Sequence, residues 1–303
     1  KGVLEEEISR EFPGRLDAFL EFMSDLHEIE KTLEPVLRDC PILPPANMSE
    51  FMAFRKLKKD LGDAMSNEDS DALEPFADDP RMRAFFAAPL TALSGVTEPW
   101  RYPIPFARLT ANLFRGLYFV EWGLDSLKNL FIERIKGNSG DVRPSDRIDM
   151  VLVKGGQVRE VEIRARDEAI GVGCLVVGTD LGPVLDLIPE GAAKKRYRAK
   201  IAGVEPSHFQ VTLNVGANRK VIPEGMARTA FMVRDPGRPL DGDNFLIIQT
   251  DPAMEPQESL DPNRATISVT GLMRASRFDG TAGKVEAFTQ ELLTGLRELI
   301  PFL

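Results

Sequence analysis

The sequence predicts an α+β fold in which a helical N-terminal part is followed by a mixed β-sheet covered by helices. In the first third of the 303 residues, apolar side chains recur at three- and four-residue steps, as on one face of an amphipathic helix. After Gly123 the pattern changes to short runs rich in β-branched residues, separated by Gly, Pro and Asp turns. A last periodic stretch predicts a closing helix from Val285 to Leu299, stopped by Pro301.

Two helices are predicted at the start of the chain. Apolar residues from Leu16 to Leu33 share one helical face, and the prolines at 41, 44 and 45 break this helix. Asn47, with Glu50 three residues later, resembles a capping box and therefore predicts the start of a second helix.

The next segments lead from the helical part to the α/β part. Residues 67–79 are acidic and predict a loop or a short helical connector. Residues 81–93 are rich in Phe and Ala and predict an apolar helix. The prolines at 99, 103 and 105 predict an extended crossing, because proline disfavours the interior of a helix.

The later part of the chain predicts strands and one clear hairpin. Gly155-Gly156 lies between the β-branched runs Ile148–Val153 and Val158–Ile163, which is typical of a two-residue hairpin turn. A further apolar run, Cys174–Val177, predicts a buried strand that ends at Gly178-Thr179-Asp180. Four more strands are predicted at His208–Val215, Ala227–Val233, Phe245–Thr250 and Ala265–Thr270.

The order of elements from Trp122 to Asp180 resembles the middle segment of the FAD-dependent phytoene desaturase family, within the amine-oxidase-like flavoproteins. A helix, a Gly-rich turn and the hairpin follow one another as in that family, and its spacing is matched at Gly140, Val142, Ile148 and Val151. The resemblance implies a helical lid or substrate-side region at 1–120, an FAD-domain-like segment at 121–182 and a mixed-sheet substrate domain at 183–303.

The resemblance also implies which residues would meet FAD. The Ile148 backbone would face the adenine end, and Thr179 and Asp180 would lie near the ribose or pyrophosphate. The alternative is that all three are ordinary strand positions. These enzymes hold the pyrophosphate with a G-x-G-x-x-G turn, which the 303 residues do not contain.

In the family, that turn would precede Lys1 and the last flavin-contacting segment would follow Leu303. The chain is therefore interpreted as the interior of a longer oxidoreductase, with FAD in the intact parent. Trp122 also stands where the family has a glycine, and its indole would crowd a bound flavin. We accordingly expect the 303-residue chain to purify without FAD.

An aromatic stretch between the helical and α/β parts is the candidate substrate site. In such enzymes the cofactor performs the hydride chemistry, and the protein positions a long apolar substrate. The residues expected to line an apolar cavity are Phe86, Trp100, Phe106, Phe114 and Tyr118. The alternative is that they form an ordinary core. No catalytic residue is assigned, because neither histidine has a neighbouring Ser or Cys in a recognisable nucleophile elbow.

Composition limits the partners. A net charge of −9 argues against nucleic acid, which requires a basic face. Two cysteines and the lack of ligands at metal spacing predict no metal site. No apolar run reaches the roughly 18 residues of a membrane span, so we expect a cytoplasmic protein, with peripheral membrane contact left open. Strand faces without cofactor-domain neighbours predict a homo-oligomer.

Two functions of different classes agree with the sequence. The first is the substrate-binding portion of an FAD-dependent oxidoreductase that passes hydride from a hydrophobic substrate, expected to be isoprenoid, to flavin. The second is a non-catalytic subunit that kept the fold without the cofactor site and holds a lipid or a partner protein. A G-x-G-x-x-G strand-turn-helix before Lys1 in the native gene product would favour the first.

Overall fold

The chain forms two compact units, Lys1–Gly123 with His208–Leu303, and Leu124–Ser207. The computed structural model describes residues 2–39, 47–60, 71–116, 118, 120, 123–250 and 263–303. Three features used in the sequence analysis lie outside these ranges: the prolines at 41, 44 and 45, residues 67–70 of the acidic segment, and Trp122. The α+β class is confirmed, since helices and two antiparallel sheets make up the described residues. The helical part and the later sheet share one unit, whereas the sequence divided the chain at 120 and 182.

The first unit begins with helices whose ends follow local capping chemistry. The predicted capping box is confirmed, because Asn47 Oδ1 accepts from Glu50 N at 3.0 Å and Asn47 Nδ2 donates to Glu50 Oε1 at 2.7 Å. Asp79 caps the fourth helix, which ends at Gly95 in the left-handed conformation. The helices of this part are α1 (Val3–Glu11), α2 (Leu16–Asp39), α3 (Met48–Asp60), α4 (Pro80–Ser94) and α5 (Pro103–Arg115), with 3₁₀ turns at Glu74–Phe76 and Pro99–Arg101.

The extended crossing predicted from the prolines is wrong. Pro99 opens a 3₁₀ turn and Pro103 opens α5, in whose first turn Pro105 also lies. Backbone N–H groups in the first turn of a helix have no intrahelical partner, so proline removes no hydrogen bond there, and its fixed φ suits a helix start. These prolines therefore begin helical segments rather than prevent them.

The larger sheet belongs to the same unit, and all pairings of its described strands are antiparallel, where a mixed sheet was expected. The predicted strands are confirmed as β4 (His208–Asn218), β5 (Thr229–Val233), β6 (Phe245–Thr250) and β7 (Arg264–Arg274), in the order β4-β7-β6-β5. The connection between the neighbours β5 and β6 contains no α-helix, and a parallel neighbour normally requires a helical crossover.

Helices cover both faces of this sheet. Along β6, Phe245 belongs to the core shared with α2, α4 and α5, whereas Leu246 belongs to the core shared with the closing helix, α9 (Ala282–Leu299). This alternation follows from the two-residue period of a strand. The sheet is therefore the middle layer of the first unit, and β5 is the strand nearest to α4.

Two glycines allow α9 to approach the sheet closely. A Cβ at Gly271 of β7 would lie 2.6 Å from Leu292 Cδ2 and 3.1 Å from Phe288 Cζ, both on α9. A Cβ at Gly295 of α9 would clash with Leu246 Cδ1 on β6. Large side chains of each layer thus fill the space left by a glycine of the other, as dense packing requires.

The second unit contains the predicted hairpin. Gly155 and Gly156 both have positive φ, +62° and +75°, as the two-residue turn between paired strands requires. The unit comprises α6 (Gly123–Gly137), β1 (Met150–Lys154), β2 (Gln157–Ile163), β3 (Glu168–Gly171), α7 (Leu181–Leu187) and α8 (Lys195–Ala202), with a 3₁₀ turn at Arg164–Arg166 and strand order β1-β2-β3.

The buried strand predicted at Cys174–Val177 is wrong. These residues form no strand, Cys174 is exposed and Val176 is 90% exposed. The strand that pairs with β2 in this part of the chain is β3, which ends at Gly171. An apolar run becomes a buried strand only where a neighbouring strand and a packed layer receive it, and the run supplies neither by itself.

No helix among the described residues is both long enough and apolar enough to cross a membrane.

Candidate functional site

An apolar cavity of about 640 Å³ lies in the first unit, where α4, α5 and Phe12, the residue after α1, face strand β5. This volume falls within the roughly 300–1,000 Å³ typical of small-molecule sites. The side chains that line it are Phe12, Arg81, Ala84, Phe85, Ala88, Pro89, Leu113, Phe114, Phe231, Val233, Arg234 and Pro236.

The spacing of residues on α4 and β5 explains why this cavity forms. On α4, Ala84 and Ala88 lie three and seven positions after Arg81, so the three side chains share one face of the helix, and this face meets the cavity. Two alanines on this face leave room that larger side chains would fill. On β5, Phe231 and Val233 are two residues apart and therefore point to the same side of the sheet.

Aromatic rings give the cavity a defined wall. The Phe85 ring lies edge-on to the Phe12 ring with 5.6 Å between centroids, and its centroid is 6.2 Å from that of Phe114. Behind them, the Phe19 ring contacts both Phe85 and Phe114 from α2. Edge-to-face and tilted contacts at these separations are favourable and fix ring orientations. The wall is therefore supported by the helical core.

The two arginines at the cavity differ in how their charges are compensated. Arg234 is 20% exposed, and its guanidinium donates to both carboxylate oxygens of Glu298, at 2.6 and 3.0 Å, and to Asp243 at 3.3 Å. Arg81 is 63% exposed, and the closest carboxylate oxygen in the described part of the chain, Glu11 Oε2, is 3.8 Å away. The Arg81 guanidinium also lies 5.5 Å from the centroid of the Phe12 ring.

Asp243 belongs to the network that holds Arg234. Burial raises the pKa of its carboxyl, but the hydrogen bond and the charge of Arg238, together with the charge of Arg234, outweigh burial and lower it below 3.8. Asp243 is therefore ionised at neutral pH and remains a partner for Arg234. The role of Arg234 is to connect the end of β5 to α9 through Glu298.

The five aromatic residues predicted to line the site lie in four different environments. Phe114 lines the cavity. Phe86 and Phe106 are each 1% exposed and belong to the helical core. Trp100 is half-buried, with the Arg83 guanidinium 5.2 Å from its ring centroid, and Tyr118 is 90% exposed. The aromatic stretch thus supplies both core and cavity wall, depending on the residue.

Two aromatic lining residues, Phe12 and Phe231, were not found from the sequence. Phe12 and Phe231 are distant in the chain from the aromatic stretch, so no local pattern joins them to it. The alanines of α4 gave a usable signal, because small residues at helical spacing within an apolar helix indicate space on that face.

The residues expected to contact FAD lie in the second unit. Ile148 is half-buried just before β1, whereas Thr179 and Asp180 are exposed just before α7. Dinucleotide sites place the pyrophosphate at a Gly-rich turn between a strand and a helix. Here the segment before α7 is not a strand, and the Asp180 side chain does not cap that seven-residue helix. In the family that turn would precede Lys1, so the contact of these three residues with FAD stays a prediction.

A histidine and an aspartate meet at one end of the larger sheet. His208 Nε2 lies 3.2 Å from Asp241 Oδ2, which also accepts from Arg274 Nε at 2.7 Å. This contact joins β4 and β7 to the loop before β6, which is a structural role. Within the ranges that the structure describes, no group of three or more His, Cys, Asp or Glu residues could hold a metal ion.

No model of a protein family matched the chain, and no curated protein matched it. The geometry of the cavity is thus the principal structural guide to function.

Proposed function

We propose that this chain binds a hydrophobic small molecule in the cavity between Phe12, α4, α5 and β5. The observation that carries the proposal is the lining of this cavity of about 640 Å³, where all side chains except Arg81 and Arg234 are apolar. Burial of an apolar ligand contributes about 25 cal/mol per Å² of apolar surface removed from water, before the entropic costs of association. The aromatic wall provides such a surface in a supported arrangement.

We further propose that the ligand is a substrate, expected to be isoprenoid, of an FAD-dependent oxidoreductase similar to the phytoene desaturases. The sequence resemblance from Trp122 to Asp180 and the apolar cavity both support this reading. In it the chain's own residues bind the substrate and exclude water from it. In the same reading, Ile148, Thr179 and Asp180 would contact FAD in the intact parent. We propose that the protein is cytoplasmic and that it contacts a membrane surface when it takes up an apolar ligand.

The second candidate is a non-catalytic subunit that binds a lipid. The observation that favours it is the exposed, non-strand segment that holds Thr179 and Asp180. A G-x-G-x-x-G strand-turn-helix before Lys1 in the native gene product would favour the oxidoreductase. Because the 303-residue chain is expected to purify without FAD under both candidates, a visible absorption spectrum without a flavin band agrees with either one. Co-purified flavin would show that the chain holds the cofactor and would favour the oxidoreductase.

Filling the cavity should abolish ligand binding without unfolding the protein. Ala84 is half-buried and lines the cavity, so the larger side chain of Ala84→Phe should occupy space that the ligand needs. With farnesol, a neutral isoprenoid alcohol, as the probe in isothermal titration calorimetry, we expect the dissociation constant to rise about tenfold or more, which corresponds to about 1.4 kcal/mol.

Ala53→Phe is the matched control, because Ala53 is an exposed helical residue of α3 outside the cavity. This variant should bind farnesol with the wild-type affinity. Circular dichroism of both variants would verify that they are folded. Equal affinity of wild type and Ala84→Phe would contradict the assignment of the ligand to this cavity.

A further inference from the structure

We propose that the cavity takes an apolar chain that ends in a carboxylate, and that Arg81 binds the carboxylate. This inference rests on the proposed function, because it assigns the head group of the ligand that the apolar lining would hold. It follows from the charges at the cavity.

Arg81 is placed to receive an anionic head group. It lies in the first turn of α4, on the helix face that lines the cavity, and its side chain is 63% exposed. Among the described residues its closest ion-pair partner is Glu11, whose Oε2 is 3.8 Å from Nη2, beyond the usual range of a hydrogen bond. Glu11 is shared, since its Oε1 accepts from Arg10 Nε at 3.0 Å. The Arg81 guanidinium therefore retains unfilled hydrogen-bonding capacity next to apolar space.

The second arginine of the cavity does not compete for this role. Arg234 already donates to Glu298 in a bidentate pair and contacts Asp243 as well. A ligand carboxylate at Arg234 would have to displace one of these partners or add a third negative charge beside them. The geometry therefore assigns the head group to Arg81 and leaves the apolar lining for the rest of the ligand.

A carboxylate fits this environment better than a phosphate or an amine. One guanidinium presents a planar pair of N–H donors that matches a carboxylate, whereas phosphate sites commonly collect several cations or backbone N–H groups. The surroundings are also acidic: Glu11 is 3.8 Å from Arg81, and the chain carries a net charge of −9. A doubly charged phosphate would meet more repulsion here than a singly charged carboxylate. An ammonium head group would be repelled by Arg81 itself.

Farnesoic acid and farnesol provide the test, because they share the apolar chain and differ at the head group. By titration calorimetry at neutral pH, the wild type should bind the acid more tightly than the alcohol. Arg81→Gln should weaken binding of the acid by about fivefold, near the upper range for an exposed ion pair, and change binding of the alcohol by less than about twofold. Arg101→Gln, which removes an exposed arginine that pairs with Glu98 outside the cavity, should change neither affinity.

A second variant tests the same idea in the opposite direction. Glu11→Gln removes the carboxylate nearest to Arg81 and should tighten binding of the acid by about twofold, with no change for the alcohol. Equal effects of Arg81→Gln on acid and alcohol would overturn the inference, as would tighter binding of farnesyl phosphate than of farnesoic acid. If the alcohol and the acid bind equally and Ala84→Phe abolishes both, the head-group assignment fails while the proposed function stands. If neither ligand binds the wild type, the proposed function fails.

Discussion

Replacing Gly271 with alanine should destabilise the protein, whereas the same replacement at Gly216 should not. Both glycines lie in antiparallel strands that pair with each other, Gly271 in β7 and Gly216 in β4. Their surroundings differ. A methyl group at Gly271 would come within 2.6 Å of Leu292 and 3.1 Å of Phe288, while a methyl group at Gly216 would have no heavy atom within 4 Å.

The expected magnitudes follow from two opposing effects. An alanine is less flexible than glycine in the unfolded chain, which stabilises the folded state by about 0.4–1 kcal/mol where the backbone conformation suits it. Neither glycine has positive φ, so both variants gain this term. At Gly271 the overpacked interface with α9 costs about 1–3 kcal/mol, because Leu292 and Phe288 are fully buried and have little room to move. The net change is destabilisation by about 1–2 kcal/mol at Gly271 and slight stabilisation at Gly216.

Urea denaturation followed by circular dichroism measures both effects through the free energy of unfolding. A double variant adds an internal check. Leu292→Ala alone should cost about 2–5 kcal/mol, and combining it with Gly271→Ala should cost less than the sum, because the clash partner is gone. If Gly271→Ala is as stable as the wild type, or if Gly216→Ala loses as much stability, close contact between α9 and β7 is not what requires the glycine.

Two further predictions concern a buried carboxylate and an exposed helix. Glu30 is 2% exposed, and its carboxylate accepts a hydrogen bond from Arg115 Nη2 at 2.6 Å. Arg115→Gln should lower the free energy of unfolding by about 2 kcal/mol and Glu30→Gln by less, because only the former leaves a buried charge without its cation. Equal losses of the two variants in urea denaturation would refute this. Phe131 on α6 is 60% exposed, and α6 has no buried residue, so we expect self-association through this helix. Light scattering should find an oligomer that Phe131→Asp dissociates, and a wild-type monomer at high concentration would contradict the prediction.

The sequence alone determined the elements whose signals are local. The apolar periodicity from Leu16 to Leu33 and from Val285 to Leu299 predicted α2 and α9, because a helical face repeats every three to four residues whatever it packs against. The contacts between Asn47 and Glu50 and the Gly155-Gly156 turn depend on neighbours in the chain, so they too were readable.

Other features were decided only by tertiary structure, because they depend on contacts between distant segments. Cys174–Val177 has the composition of a buried strand, but no strand pairs with it among the described residues and it is exposed. The prolines at 99, 103 and 105 were predicted to form an extended crossing, although their positions in a first turn make them helix starts. Likewise, Phe86 and Phe114 look alike in the sequence. The packing of α2, α4 and α5 makes Phe86 core and leaves Phe114 beside Phe231 on the cavity wall. Side-chain type determines that burial is favourable, whereas the layers that meet determine which side chains are buried.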